Sequence, residues 1–74
     1  PQDSYTSQLF REGVDRISQK VVEESGEVAI AGVKAQRDNL VNEVADLIYH
    51  VMVLLSASDV RPEDVWKELR QRQK

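Results

Sequence analysis

Apolar positions recur at helical spacing along two long stretches of this chain. Val14, Ile17, Val21 and Val28 fall on one stripe at intervals of three, four and seven, which predicts an amphipathic helix from Val14 to about Lys34. Arg16, Lys20, Glu23, Glu24 and Glu27 occupy the adjoining face, and Glu24 borders the apolar stripe, so half-burial is expected there. Gly26 costs such a helix about 1 kcal/mol relative to Ala. With Ala29 and Ala31 it supplies small side chains that allow another helix to approach. The second stretch predicts a helix from about Leu40 to Ser58. Between Val44 and Leu55 nearly every residue is apolar; Asp46 and His50 are the groups able to carry charge, and Tyr49 is a third polar tip. A helix apolar almost all round is buried on several sides. Projected as a helix, Glu43, Asp46, Tyr49 and His50 share one face, and Val44, Ile48, Met52 and Leu55 lie opposite.

The flanks follow from local chemistry. Pro1 to Asp3 read as a lead-in. Ser4 is a good N-cap, because its hydroxyl can accept an orphan backbone N–H, and opens a short helix from Tyr5 to about Glu12. Gly13 then supplies a left-handed C′ residue. Ala35 to Asn39 form a polar break in which Asp38 or Asn39 caps the next helix, and so short a connection predicts an antiparallel hairpin. Asp59 to Arg61 make a turn. Pro62 suits a first helical turn, where Glu63 and Asp64 complement the helix dipole. Val65, Trp66 and Leu69 give this last helix a docking face, and Arg70 to Lys74 form a basic tail expected to fray. The fold class predicted is all-α: an antiparallel hairpin of long helices with short flanking helices.

Length and charge narrow the possibilities. Seventy-four residues make one domain, and a chain this short buries too little apolar surface to be comfortable alone. With no cysteines, neither disulfides nor a thiolate zinc site can help, so oligomerisation, in the simplest case a homodimer, is the expected remedy. A net charge of −3 argues against a nucleic-acid binder, where a basic face is expected. No apolar run is expected to reach the ~18–20 residues of a membrane span. The chain begins with Pro1 rather than Met and shows no signal peptide. A Gly-rich phosphate loop is also missing, which excludes P-loop and Rossmann nucleotide sites.

The candidate chemistry lies in two acid-x-x-acid pairs, Glu24 with Glu27 and Glu43 with Asp46. Residues three apart share a helix face, with about 5–6 Å between Cβ atoms. Two such pairs on adjacent antiparallel helices can aim four carboxylates at one point. Like charges that close repel unless protons or a cation neutralise them, and oxygen-only ligation suits Mg²⁺ or Mn²⁺. The plainer reading is a solvated acidic face. Against it, Asp46 sits in the most apolar part of the chain, where an unpaired carboxylate is costly. Lys20 reads either as an intrahelical ion-pair partner of Glu23 and Glu24 or as a phosphate ligand at the edge of a metal site. His50, four residues after Asp46, reads either as a hydrogen-bonded core residue or as a donor orienting Asp46. Tyr5, Tyr49 and Trp66 read as core or interface, or as surfaces on which a base stacks. The Glu-x-x-His pairs of di-iron bundles are not present.

In order along the chain, Ser4-Tyr5-Thr6, the Lys20-x-x-Glu23-Glu24-x-x-Glu27 block and Ala45-Asp46-Leu47-x-Tyr49-His50 closely resemble the phosphoribosyl-ATP pyrophosphohydrolases of histidine biosynthesis. Pro62 to Leu69 continue the likeness, which covers nearly the whole chain. That family belongs to the all-α nucleotide pyrophosphohydrolases related to MazG and the dimeric dUTPases. The resemblance implies a cytoplasmic helical homodimer that hydrolyses phosphoribosyl-ATP to phosphoribosyl-AMP and pyrophosphate. It implies Mg²⁺ on Glu24, Glu27, Glu43 and Asp46, with Mn²⁺ as a substitute. Glu23, Glu24 and Glu27 would be catalytic, Glu23 orienting water, and Lys20, Arg16, Tyr5, Thr6 and His50 would contact the nucleotide. Members occur alone or fused to phosphoribosyl-AMP cyclohydrolase. Two departures stand out: Arg61 replaces a Ser-like cap, and a helix commonly preceding Ser-Tyr-Thr is not in this sequence. Pyrophosphohydrolysis of other nucleoside triphosphates, or a non-catalytic dimeric module, are the alternative functions.

Overall fold

The computed structural model describes residues 4–73, so the expected lead-in at Pro1 to Asp3 and the end of the basic tail at Lys74 lie outside the described residues. Four helices follow in order: α1 (Tyr5–Glu12), α2 (Val14–Lys34), α3 (Arg37–Ala57) and α4 (Pro62–Gln71). The all-α expectation holds, and α2 with α3 forms the hairpin at the centre of the molecule, with α1 laid against both.

Helix ends account for most of the topology. The Ser4 hydroxyl accepts the Ser7 N–H at 3.1 Å, as expected of an N-cap. Gly13 has φ 93° and ψ 178°. This is a positive-φ conformation open to glycine, though not the left-handed helical one expected, and it lets α2 begin one residue after α1 ends. The break after α2 is shorter than the sequence suggests. Ala35 adopts φ 54° and ψ 36°, turning the chain in a single left-handed residue. As a result α3 starts at Arg37, three residues before the expected Leu40. Asp38 and Asn39 therefore lie inside the first turn, and Gln36 is the N-cap, without a side-chain capping bond. The end of α3 is a Schellman motif: Asp59 has φ 59°, and the N–H groups of Asp59 and Val60 donate to the carbonyls of Ser56 and Leu55 at 3.2 and 2.8 Å. Arg61 is an adequate start for α4, because its own N–H donates to Asp64 Oδ2 at 3.1 Å. The basic tail stays helical as far as Gln71, with Arg72 Nε 3.0 Å from Glu68 Oε2.

The core within one chain is small. Leu9, Ile17 and Val53 are buried together, with Leu54 and Ala57 packed on them, and Ala31 is also buried. As expected for so short a chain, α3 is not covered within it, and Val53 and His50 are its buried residues. Val41 and Ile48 are about half exposed, and on α2 so is Ile30, while Val22 and Val33 are 70% and 88% exposed. Gly26 has open space where a Cβ would stand, so the close approach its size allows is not made within this chain. Nor does α4 dock by its apolar face, since Trp66 and Leu69 remain about half exposed. The chain exposes 5676 Å², roughly 1,000 Å² more than a compact monomer of its mass would. Its radius of gyration is 14.1 Å, against about 11 Å for a compact chain of this length. By length and composition alone α3 could cross a membrane, with a mean hydropathy of 1.5 over its best window, although no uninterrupted apolar run in it reaches a membrane span, as expected. Glu43 and Asp46 sit at mid-helix, however, and they turn toward α2.

Candidate active site

The hairpin brings together one carboxylate from α2 and two from α3. Glu24, Glu43 and Asp46 each offer an oxygen lying within 4.8 Å of the others. The reason is local: Glu43 and Asp46 are one helical turn apart, and the short turn at Ala35 sets α2 against α3 so that Glu24 faces both. Glu27 is not in this convergent trio, although its charge reaches Glu43. The Glu43 carboxyl is pushed above its ordinary range, first by partial burial and then by the charges of Glu27, Asp46 and Glu24. An all-oxygen group with an excess of negative charge suits a hard divalent cation.

A cationic rim borders this group. Lys20 Nζ lies 3.3 Å from Glu23 Oε1 and 3.5 Å from Glu24 Oε2. The Lys20 ammonium is held above its usual pKa, mainly by its hydrogen bond to Glu23; burial opposes this, while Tyr5, Glu23 and Glu24 add to it. Arg16 lies 3.5 Å from Glu12 Oε1 and 3.9 Å from Glu23 Oε2. Glu23 thus stands outside the trio, paired with both cations.

Tyr5, Thr6 and His50 form a third group, tying the first turn of α1 to α3. His50 is 6% exposed. Its Nδ1 lies 2.7 Å from the backbone oxygen of Asp46, and its Nε2 lies 2.8 Å from the Tyr5 hydroxyl. A carbonyl can only accept, so Nδ1 carries the proton, and in the neutral ring Nε2 accepts from Tyr5. His50 therefore meets the main chain of Asp46, not its carboxylate, and both ring nitrogens are occupied. Burial and these two bonds make it a support for Tyr5 within the chain. The Thr6 and Tyr49 hydroxyls are also hydrogen-bonded to one another, and the Tyr5 and Tyr49 rings stack with centroids 6.2 Å apart. Sequence reasoning did not single out Tyr49 as the anchor of Thr6. Its place three residues after Asp46 on the polar face was the available signal. A cavity of about 280 Å³ between the ends of α3 and α4, lined by Met52, Ser56, Asp59, Val60, Arg61 and Pro62, includes none of these residues.

Fold and site together define a class: an all-helical protein whose hairpin gathers carboxylates from both arms beside a cationic rim. The sequence profile of phosphoribosyl-ATP pyrophosphohydrolase matches residues 1–73. The chain is 50% identical over 72 residues to the phosphoribosyl-ATP pyrophosphatase of Geobacter sulfurreducens, covering 97% of this chain and 67% of that protein. It is 46% identical over 69 residues to the Clostridium acetobutylicum protein of the same name, with 93% and 63% covered. For the Neisseria meningitidis protein of that name the values are 48% over 73 residues, with 99% and 68% covered. The chain belongs to the phosphoribosyl-ATP pyrophosphohydrolase family, and it spans about two thirds of the length of these relatives.

Proposed function

We propose that this chain carries the Mg²⁺-dependent hydrolysis of phosphoribosyl-ATP to phosphoribosyl-AMP and pyrophosphate, the second step of histidine biosynthesis, as a cytoplasmic homodimer. The observation that carries this reading is the convergence of Glu24, Glu43 and Asp46 within 4.8 Å in a chain of this family. Glu24, Glu43 and Asp46 hold the ion, with Glu27 beside Glu43; Mn²⁺ can substitute. When bound, the ion neutralises phosphate charge and positions water. Lys20 and Arg16 bind the anionic groups of the nucleotide. Glu23, at the rim, orients the attacking water. Tyr5 and Thr6 wall the site from the first turn of α1, and His50 fixes Tyr5. The second copy covers the exposed apolar faces of α2 and α3.

Pyrophosphate release from phosphoribosyl-ATP, measured with and without Mg²⁺ beside ATP, dUTP and dCTP, tests the reading. Strong turnover of phosphoribosyl-ATP alone is expected. Preferential turnover of the simple triphosphates would reassign the substrate and leave the carboxylate site in place.

The raised Glu43 pKa gives a second expected result. In the folded chain without metal, Glu43 holds its proton more tightly than in the unfolded chain. The stabilising contribution is full below the ordinary glutamate range and is lost as pH rises through the raised value. As pH rises through that value the site becomes charged and repulsive, and a cation relieves it; at lower pH protons compete. Free Mg²⁺ at about five times its Kd contributes about 1 kcal/mol, or roughly 4–8 °C in Tm for a small domain. A shift of that order is expected at pH 7.5 and a smaller one at pH 5, beyond a control matched with NaCl. Equal shifts at both pH values would show that Glu43 is not part of the metal site.

A further inference from the structure

Glu24 faces two ways. Its carboxylate belongs to the converging trio with Glu43 and Asp46, and its Oε2 is also 3.5 Å from Lys20 Nζ. The pair is partly shielded, with the Lys20 and Glu24 side chains 20% and 14% exposed, so it is screened less than a surface pair. A compact ammonium on a flexible four-carbon stem competes there with any cation seeking the same carboxylate. Lys20 also has a second partner that is not in the trio, Glu23 at 3.3 Å, and it can swing without losing all compensation.

We propose, resting on the metal role assigned above, that Lys20 is the resident counter-cation of Glu24 and is handed from Glu24 to a phosphate of the substrate when a divalent ion takes that carboxylate. The ion removes an attractive charge from Lys20 and adds a repulsive one, so the ammonium becomes available to an anion. By linkage the effect is reciprocal: an anion that draws Lys20 away vacates Glu24 for the cation. Cation and anion binding therefore reinforce each other through one side chain. The chain with neither ligand keeps its cationic rim neutralised, which disfavours capture of an anion that arrives without the metal.

The test is Mn²⁺ binding to the full chain, followed by electron paramagnetic resonance of the free ion, with and without low millimolar inorganic phosphate. Lys20→Met is expected to bind Mn²⁺ about five- to tenfold more tightly than the wild type when no anion is present, the lower range of site-to-site coupling. Phosphate is expected to tighten Mn²⁺ binding severalfold in the wild type and in Lys20→Arg, and to leave Lys20→Met unchanged. Chelation of Mn²⁺ by phosphate in solution is common to all three proteins and cancels in the comparison. Should Lys20→Met lose helicity by far-UV circular dichroism, Lys20→Gln gives the same readings. Equal Mn²⁺ affinity in the wild type and the neutral variant, or an equal phosphate response, overturns the handover and leaves the carboxylate site standing. No Mn²⁺ binding by the wild type overturns both.

Discussion

Glu24→Gln and Asp46→Asn are each expected to lower Mg²⁺-dependent pyrophosphate release by about 10²- to 10³-fold without unfolding the chain. A bound metal supplies several kcal/mol of charge stabilisation in a phosphoryl transition state, and each 1.36 kcal/mol is worth about tenfold in rate. Removing one charged member of the trio takes away much of that. The stability effect runs the other way. Glu43 is pushed toward its neutral form by burial and then by the charges of Glu27, Asp46 and Glu24, so an amide at Glu24 or Asp46 relieves part of the repulsion in the metal-free chain. Metal-free Tm should stay level or rise while the Mg²⁺-induced shift disappears. Thermal scans with and without Mg²⁺, beside the activity assay, separate a lost ligand from a damaged fold. Near-wild-type turnover in both variants would remove the trio from catalysis.

Changing Val41 and Ile48 together to Asp is expected to convert a species of about twice the 8.4 kDa chain mass into a monomer with reduced helicity. The two side chains are 55% and 51% exposed on α3, seven residues and two turns apart, with the small Ala45 between them. The roughly 1,000 Å² by which the chain exceeds a compact monomer corresponds, counted on two copies, to about 2,000 Å², which is the size of obligate homodimer interfaces. A charge at the centre of such a surface is buried without a partner. Because the core of one chain is so small, separated chains should also lose structure, so the variant should show both lower mass and weaker far-UV ellipticity. Light scattering on the eluting peak gives the mass. A variant that keeps the dimer mass would place the interface elsewhere, with the exposed Val22, Ile30 and Val33 stripe of α2 as the next surface to change.

The parts of the fold governed by local rules were legible. The first two helices occupy the expected residues, because Ser4 and Gly13 mark their ends with unambiguous chemistry. The start of α3 was not, since nothing in Ala35 announces a left-handed residue. Alanine takes that conformation here because the packing of α2 on α3 demands a tight turn. Spacing singled out Glu24 with Glu27 on α2 and Glu43 with Asp46 on α3, each pair three residues apart. Glu27 belongs to the same spacing, and its charge reaches Glu43, but its carboxylate is not among the three that converge within 4.8 Å. Helical projection put His50 on the correct face, but it carries no information on which atom of Asp46 the ring would meet. The partners of Tyr5 and Thr6 were beyond reach for a plainer reason: they lie more than forty residues away, and only tertiary packing relates α1 to α3.

Gly13 makes α1 a lever. One residue joins it to α2, at a φ of 93° that a side chain would oppose. The eight residues of α1 span about 12 Å, so a tilt of about 10° at the fulcrum displaces the far end by about 2 Å. That is enough to part the Tyr5 hydroxyl from His50 Nε2, now 2.8 Å away, and errors of about 1 Å in placing reacting groups can cost about a hundredfold in rate. The alignment of one wall of the site is thereby set from its opposite end, by the residue in α1 and its joints that has no side chain at all.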